Sequence, residues 1–175
     1  MFATLYLPNF YLQAALRHQP ELTGKPVGLI DDQEKKVVLV QLNNVAEEKG
    51  VRLGMSPSQG LARCLDLLVK VRSQTQEKIL QELLLHFAGT LSPYVEATGP
   101  GLATVEFTDT RNIAVKTASV VRQLTDSEIT VQAGIAPTPD ASFLAAHLAK
   151  PLLQIQDARE FLAELPIDVL AISAL

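Results

Sequence analysis

A chain of 175 residues has room for one ordinary domain, or one domain with a small lobe. At 47% hydrophobic and 19% charged it has the composition of a folded protein, not a disordered one. A net charge of −4 argues against a free-standing nucleic-acid grip, and a single cysteine excludes an internal disulfide framework and a cysteine-rich zinc site.

The apolar start, Phe2 to Leu7, reads as a buried strand stopped by Pro8-Asn9. It lacks a basic leader region, so it is not a signal peptide, and no apolar run reaches the roughly 18 residues of a membrane span. A cytoplasmic protein with no membrane partner is expected. Asn9 is expected to cap a helix carrying Phe10, Leu12, Ala15 and Leu16. Gly24-Lys25-Pro26 is a turn. Val27 to Ile30 and Val37 to Val40 read as two strands of a hairpin around Asp31-Asp32, whose carboxylates are expected to be solvated turn residues. A short helix follows from Asn43 to Lys49, with Gly50 just past its end. Ser56-Pro57 starts another, because serine caps and proline wastes no hydrogen bond there. Cys64 is expected to be a small core residue, ahead of a strand from Leu67 to Val71.

The clearest helix runs from Gln74 to Leu91, with Ile79, Leu83, Phe87 and Leu91, flanked by Leu80 and Leu84, as its apolar stripe. Strands at Tyr94 to Thr98 and Leu102 to Thr108 flank Gly99-Pro100-Gly101. A helix from Arg111 to Leu124, a strand from Ile129 to Ile135 and a helix from Asp140 to Ala149 complete the pattern. Lys150-Pro151 ends that last helix, and Ala158 to Leu175 reads as helical with a break at Pro166. The expected fold is α+β, a central and mainly antiparallel sheet with helices packed on one face. Residues 13–75 form a smaller inserted lobe.

No motif among these elements carries chemistry by spacing alone. His18, His86 and His147 are isolated and read as surface or helix-face residues. Gly99-Pro100-Gly101 lacks the following helix and lysine of a phosphate loop, and no serine sits in a nucleophile elbow. Two-metal phosphoryl transfer needs carboxylates converging from adjacent strands. Glu106 and Asp109, three apart on an extended segment, face opposite sides.

Several stretches, in order and in register, resemble Y-family (translesion) DNA polymerases. They are Leu5-Tyr-Leu-Pro-Asn-Phe-Tyr11, Pro20-Glu-Leu-Thr-Gly-Lys-Pro-Val27, Gly50-Val-Arg-Leu-Gly-Met55, Leu91-Ser-Pro-Tyr-Val-Glu96, Gly134-Ile-Ala136 and Ala149-Lys-Pro151. The resemblance implies a polymerase palm at residues 1–12 and 76–165. It implies fingers at 13–75 and the start of a thumb at 166–175.

It also implies losses. The family's metal-binding aspartate at the end of the first strand falls on Tyr6, and its hairpin Asp-Glu pair falls on Gly101 and Leu102. The fingers tyrosine and arginine that meet the triphosphate fall near Asn44 and Glu47. Tyr11 matches the aromatic that excludes ribonucleotides, with core packing as the competing reading. Lys150 matches a triphosphate-contacting lysine, with a solvated helix end as its alternative. No metal or other cofactor is implied, except Mg2+ if the protein is an active polymerase with displaced acids.

The pattern is similar to a catalytically inactive, ImuB-type branch of the family. That branch bridges the sliding clamp, an error-prone replicative-type polymerase and a RecA-like accessory protein in damage-induced mutagenesis, the SOS response. For this chain the resemblance implies a non-catalytic adaptor that grips primer-template DNA weakly. An active translesion polymerase and a structural module without a nucleic-acid role are the alternatives.

Overall fold

The computed structural model describes residues 1–22 and 24–166. The expected thumb start, and the run of helix toward Leu175, lie outside the described residues apart from Pro166. The chain divides into two compact units. One is Met1–Pro8 together with the chain from Gln81 onward, and the other is Asn9–Leu80.

The first unit is built on a five-stranded sheet in the order β5-β6-β1-β7-β8. Its strands are β1 (Phe2–Tyr6), β5 (Tyr94–Gly99), β6 (Leu102–Glu106), β7 (Gln132–Ala136) and β8 (Leu152–Gln154). β1 is central and antiparallel to both β6 and β7, β5 is antiparallel to β6, and only β8 joins in parallel. This is the expected mainly antiparallel α+β arrangement. β8 was not expected, since three residues carry no readable period and their pairing is dictated by β7. Ala3, Thr4 and Leu5 are all fully buried, the burial of a strand covered on both faces.

The helices of this unit are α5 (Ile113–Asp126), α6 (Pro139–Leu148) and α7 (Ala158–Glu164). α6 lies directly on β7 at Gly134, where an added Cβ would stand 2.2 Å from Ala146 N and Ser142 O. That backbone-to-backbone approach requires glycine. β7 begins later than the apolar run from Ile129 suggests. Ile129 N instead bonds to Leu124 O, and Glu128 takes a positive φ of 61°, so this stretch turns the chain out of α5.

The second unit carries a three-stranded sheet, β3-β2-β4, from β2 (Val27–Ile30), β3 (Leu39–Leu42) and β4 (Leu68–Val71). β2 is antiparallel to β3, the expected hairpin, and parallel to β4. Around it stand α1 (Phe10–Leu16), α2 (Asn44–Glu48) and α3 (Pro57–Arg63). Leu39, Leu42, Ala46, Val51, Cys64 and Leu67 form one buried cluster, so Cys64 is the core residue expected. Ser56 and Gln59 form a reciprocal capping box at the start of α3. Asn9 does not cap α1. Its left-handed backbone, φ 50°, carries the side chain away to Leu42 O, and the side chain of Gln41 accepts from Leu12 N at 2.8 Å instead.

The long helix, α4 (Gln74–Gly89), begins in the second unit and ends in the first. Its buried face is Leu80-Leu84-Ala88, so the flank of the expected stripe is what packs inward, and Ile79 is 46% exposed. Leucines occupy both four-residue registers, so periodicity alone could not separate them.

Candidate functional site

In the first unit, Tyr6 and Leu102 are register partners on adjacent strands, and Leu7 N donates to Gly101 O at 2.9 Å. The three positions singled out in the sequence therefore meet at one end of β1 and β6. Residues two apart on a strand share a face. Thr4 Oγ1 meets Ser142 of α6, so Tyr6 and Leu102 lie on that α6-covered face as well.

The Tyr6 ring is stacked on His147 of α6 with centroids 3.9 Å apart and planes 23° apart, and Phe143 packs on His147 at 4.3 Å. His147 is thus a helix-face residue, one of the two readings expected, but it is not isolated. Its Nδ1 lies 2.9 Å from Phe143 O. A carbonyl only accepts, so Nδ1 carries the proton and the neutral ring keeps its lone pair on Nε2. Burial holds the imidazole below its ordinary pKa and raises the Tyr6 phenol above its own.

Gln81 of α4 ties the turn of the β5–β6 hairpin. Its Oε1 accepts from Gly101 N at 2.7 Å and its Nε2 donates to Leu102 O at 3.2 Å. Gly101 itself sits at φ 69°, a conformation that favours glycine over any residue with a carboxylate.

Beside Tyr6 runs a chain of hydroxyls with a fixed direction. Ser142 Oγ donates to Pro139 O at 2.7 Å, so its one proton is spent. Thr4 must then donate to Ser142 at 2.8 Å, Thr104 to Thr4 at 3.2 Å, and Thr98 to Thr104 at 3.2 Å.

The family's metal pair does not fit this end of the sheet, where the matching side chains are a phenol, none and an isobutyl. Among the described residues no group of three or more His, Cys, Asp or Glu is placed to hold a metal ion. Glu106 stands four residues further along β6, roughly 13 Å away. Asp109 is held by Arg111 at 3.0 Å, which lowers its pKa. Lys150 is exposed just past α6, followed by a cis bond to Pro151.

In the second unit Asn44 and Glu47 are exposed on α2, and Glu47 offers its backbone oxygen to Arg52 Nη1. Tyr11 is half-buried on α1, with Phe10 edge-on at 5.3 Å. The Arg72 guanidinium lies 3.8 Å above the Tyr11 ring centroid and is paired with Asp31 and Glu77, both at 2.8 Å. Asp31 is therefore not a solvated turn residue, although Asp32 remains exposed. His147, Gln81 and Arg72 were missed from sequence. Only the spacing of His147 three residues before Lys150 could have drawn attention to one of them.

Comparison with known proteins sets this geometry in context. Residues 5–147 match the model of the impB/mucB/samB family. DNA polymerase IV of Pseudomonas syringae pv. tomato is 29% identical over 168 residues, covering 90% of this chain and 47% of the relative. DNA polymerase IV of Legionella pneumophila (strain Corby) is 26% identical over the same length. The chain thus spans about half the length of the curated relatives it matches. Among solved structures, DinB from Sulfolobus solfataricus superposes with a TM-score of 0.82 at 19% identity, over 96% of this chain and 52% of that one. A post-insertion binary complex of Dbh DNA polymerase gives 0.85, also at 19% identity, over 96% and 52%.

Proposed function

This chain belongs to the impB/mucB/samB family and carries the Y-family DNA polymerase fold, and from that premise we propose that it is a non-catalytic polymerase-like adaptor in DNA repair and damage-induced mutagenesis. On this reading residues 1–12 and 76–165 are the palm and residues 13–75 the fingers, bounds that lie within a few residues of the two compact units. The protein acts in the cytoplasm. In its full context it links a sliding clamp, an error-prone replicative-type polymerase and a RecA-like protein, and it grips primer-template DNA weakly.

One observation carries this reading. The strand end where a palm needs three carboxylates holds Tyr6, Gly101 and Leu102, and it is closed by neutral contacts, the Tyr6–His147 stack and the two Gln81 hydrogen bonds. In-line phosphoryl transfer draws much of its transition-state stabilisation from ions bridging the attacking and leaving oxygens. Nothing at these positions supplies a ligand for them.

A second reading, an active translesion polymerase using displaced acids and Mg2+, is favoured by the relatives, which are named DNA polymerase IV. Primer extension separates the two. We expect no template-directed incorporation with magnesium or manganese at any enzyme concentration. Incorporation that disappears on Glu106→Ala would establish the second reading.

A further inference from the structure

Arg72 has no part in the reading above, yet its contacts converge on Tyr11. It follows β4 and precedes α4, with its backbone N–H bonded to Ile30 O at 3.0 Å. Its Nε and Nη2 donate to the two carboxylate oxygens of Glu77, at 2.9 and 2.8 Å. Its Nη1 donates to Asp31 Oδ2 at 2.8 Å. The side chains of Arg72, Asp31 and Glu77 are only 26%, 17% and 12% exposed.

A guanidinium is planar, so carboxylates on two of its edges fix the orientation of its face. Its central carbon lies over the Tyr11 ring, 3.8 Å from the centroid. Between two carboxylates the cation is more than neutralised, which leaves it poorly suited to clamp a phosphate. Orienting the ring is the task its geometry serves. The helix that carries the ring, α1, is held by the Gln41 side chain at Leu12 N, and Phe10 meets Tyr11 edge-on.

We propose that Arg72 is a positioning residue for Tyr11, fixing the plane of the aromatic wall against which a nucleotide's sugar is discriminated, and that Asp31 and Glu77 act on that wall through Arg72. The sugar-facing part of this assignment rests on reading the second unit as polymerase fingers. The coupling of Arg72 to the ring does not. Lysine cannot replace Arg72 here, because a point charge on a flexible stem presents no plane.

The test is carbon-13 NMR of the whole chain labelled in its tyrosine rings. The sequence holds three tyrosines, Tyr6, Tyr11 and Tyr94, and Tyr11→Phe assigns the relevant signal. Arg72→Lys and Glu77→Gln are each expected to move the Tyr11 ring signals by more than a linewidth, while the Tyr6 and Tyr94 signals stay in place. Tyr11 signals that remain at the wild-type position in both variants overturn the proposal. Displacement of all three tyrosines in both variants overturns it equally, because Arg72 is then a general structural residue. Primer extension by the wild-type chain, together with the expected NMR result, would remove the non-catalytic reading and leave this one standing.

Discussion

His147 and Tyr6 show how a side chain's surroundings, not its identity, set its chemistry. The imidazole is held neutral by burial against Tyr6 and Phe143, with its folded-state pKa below the ordinary value of about 6.5. The sign of the consequence follows from linkage. The unfolded chain takes up the proton first, so the stability contributed by the neutral ring is complete above about pH 6.5. It is lost as the pH falls through the folded-state pKa. The melting temperature of the wild type is therefore expected to fall between pH 7 and pH 5 by more than that of His147→Gln. Parallel melting curves for the two proteins would refute this. Nothing in the sequence pointed to the stack, because the two rings are far apart in the chain and the sequence records no distances between helix and strand. The absence of acids at positions 6, 101 and 102 was legible, since it needed only the family's spacing. What fills that place was not.

At the scale of elements, most of the fold could be read because local chemistry and burial agree. Ser56-Pro57 pointed to the start of α3, and two apolar runs around a polar turn pointed to the β2–β3 hairpin, whose second strand begins two residues later than expected, at Leu39. The differences have separate causes. Which side of the α4 stripe is buried, and which residue serves Leu12 N on α1, are chosen by contacts distant in sequence, whereas β7 starts late because the chain turns locally out of α5, with Ile129 N bonded to Leu124 O. The α4 correction is testable. Leu84 is fully buried and Ile79 is 46% exposed. Leu84→Ala is expected to cost about 2–5 kcal/mol by transfer and cavity terms, and Ile79→Ala less than about 1 kcal/mol. Chemical denaturation of both variants checks the order, and a larger loss at Ile79 would restore the stripe expected from sequence.

For the molecule as a whole, charge sets the terms of the proposed contact with DNA. With a net charge of −4 this chain has few uncompensated cations to neutralise phosphates, and counterion release is the main source of backbone affinity. Binding of primer-template to this chain is expected to be weak and to change little between 50 and 200 mM salt, as measured by fluorescence anisotropy. A steep salt slope would show a concentrated basic face that the net charge conceals.

The central position of β1 has a consequence in time. Its neighbours on either side, β6 and β7, are made about a hundred or more residues later, as the pairing of Thr4 with Thr104 on one side and Gly134 on the other shows. Such pairings close long loops before any contact rewards them. During synthesis the Asn9–Leu80 unit, whose contacts are nearer in sequence, has every partner it needs well before the five-stranded sheet does. A ribosome that has released only residues through Leu80 thus presents one foldable unit preceded by an apolar segment with no sheet to enter, the kind of segment chaperones retain. Proteolysis of stalled nascent chains is expected to find 9–80 protected early and 1–8 cleavable until β7 has emerged.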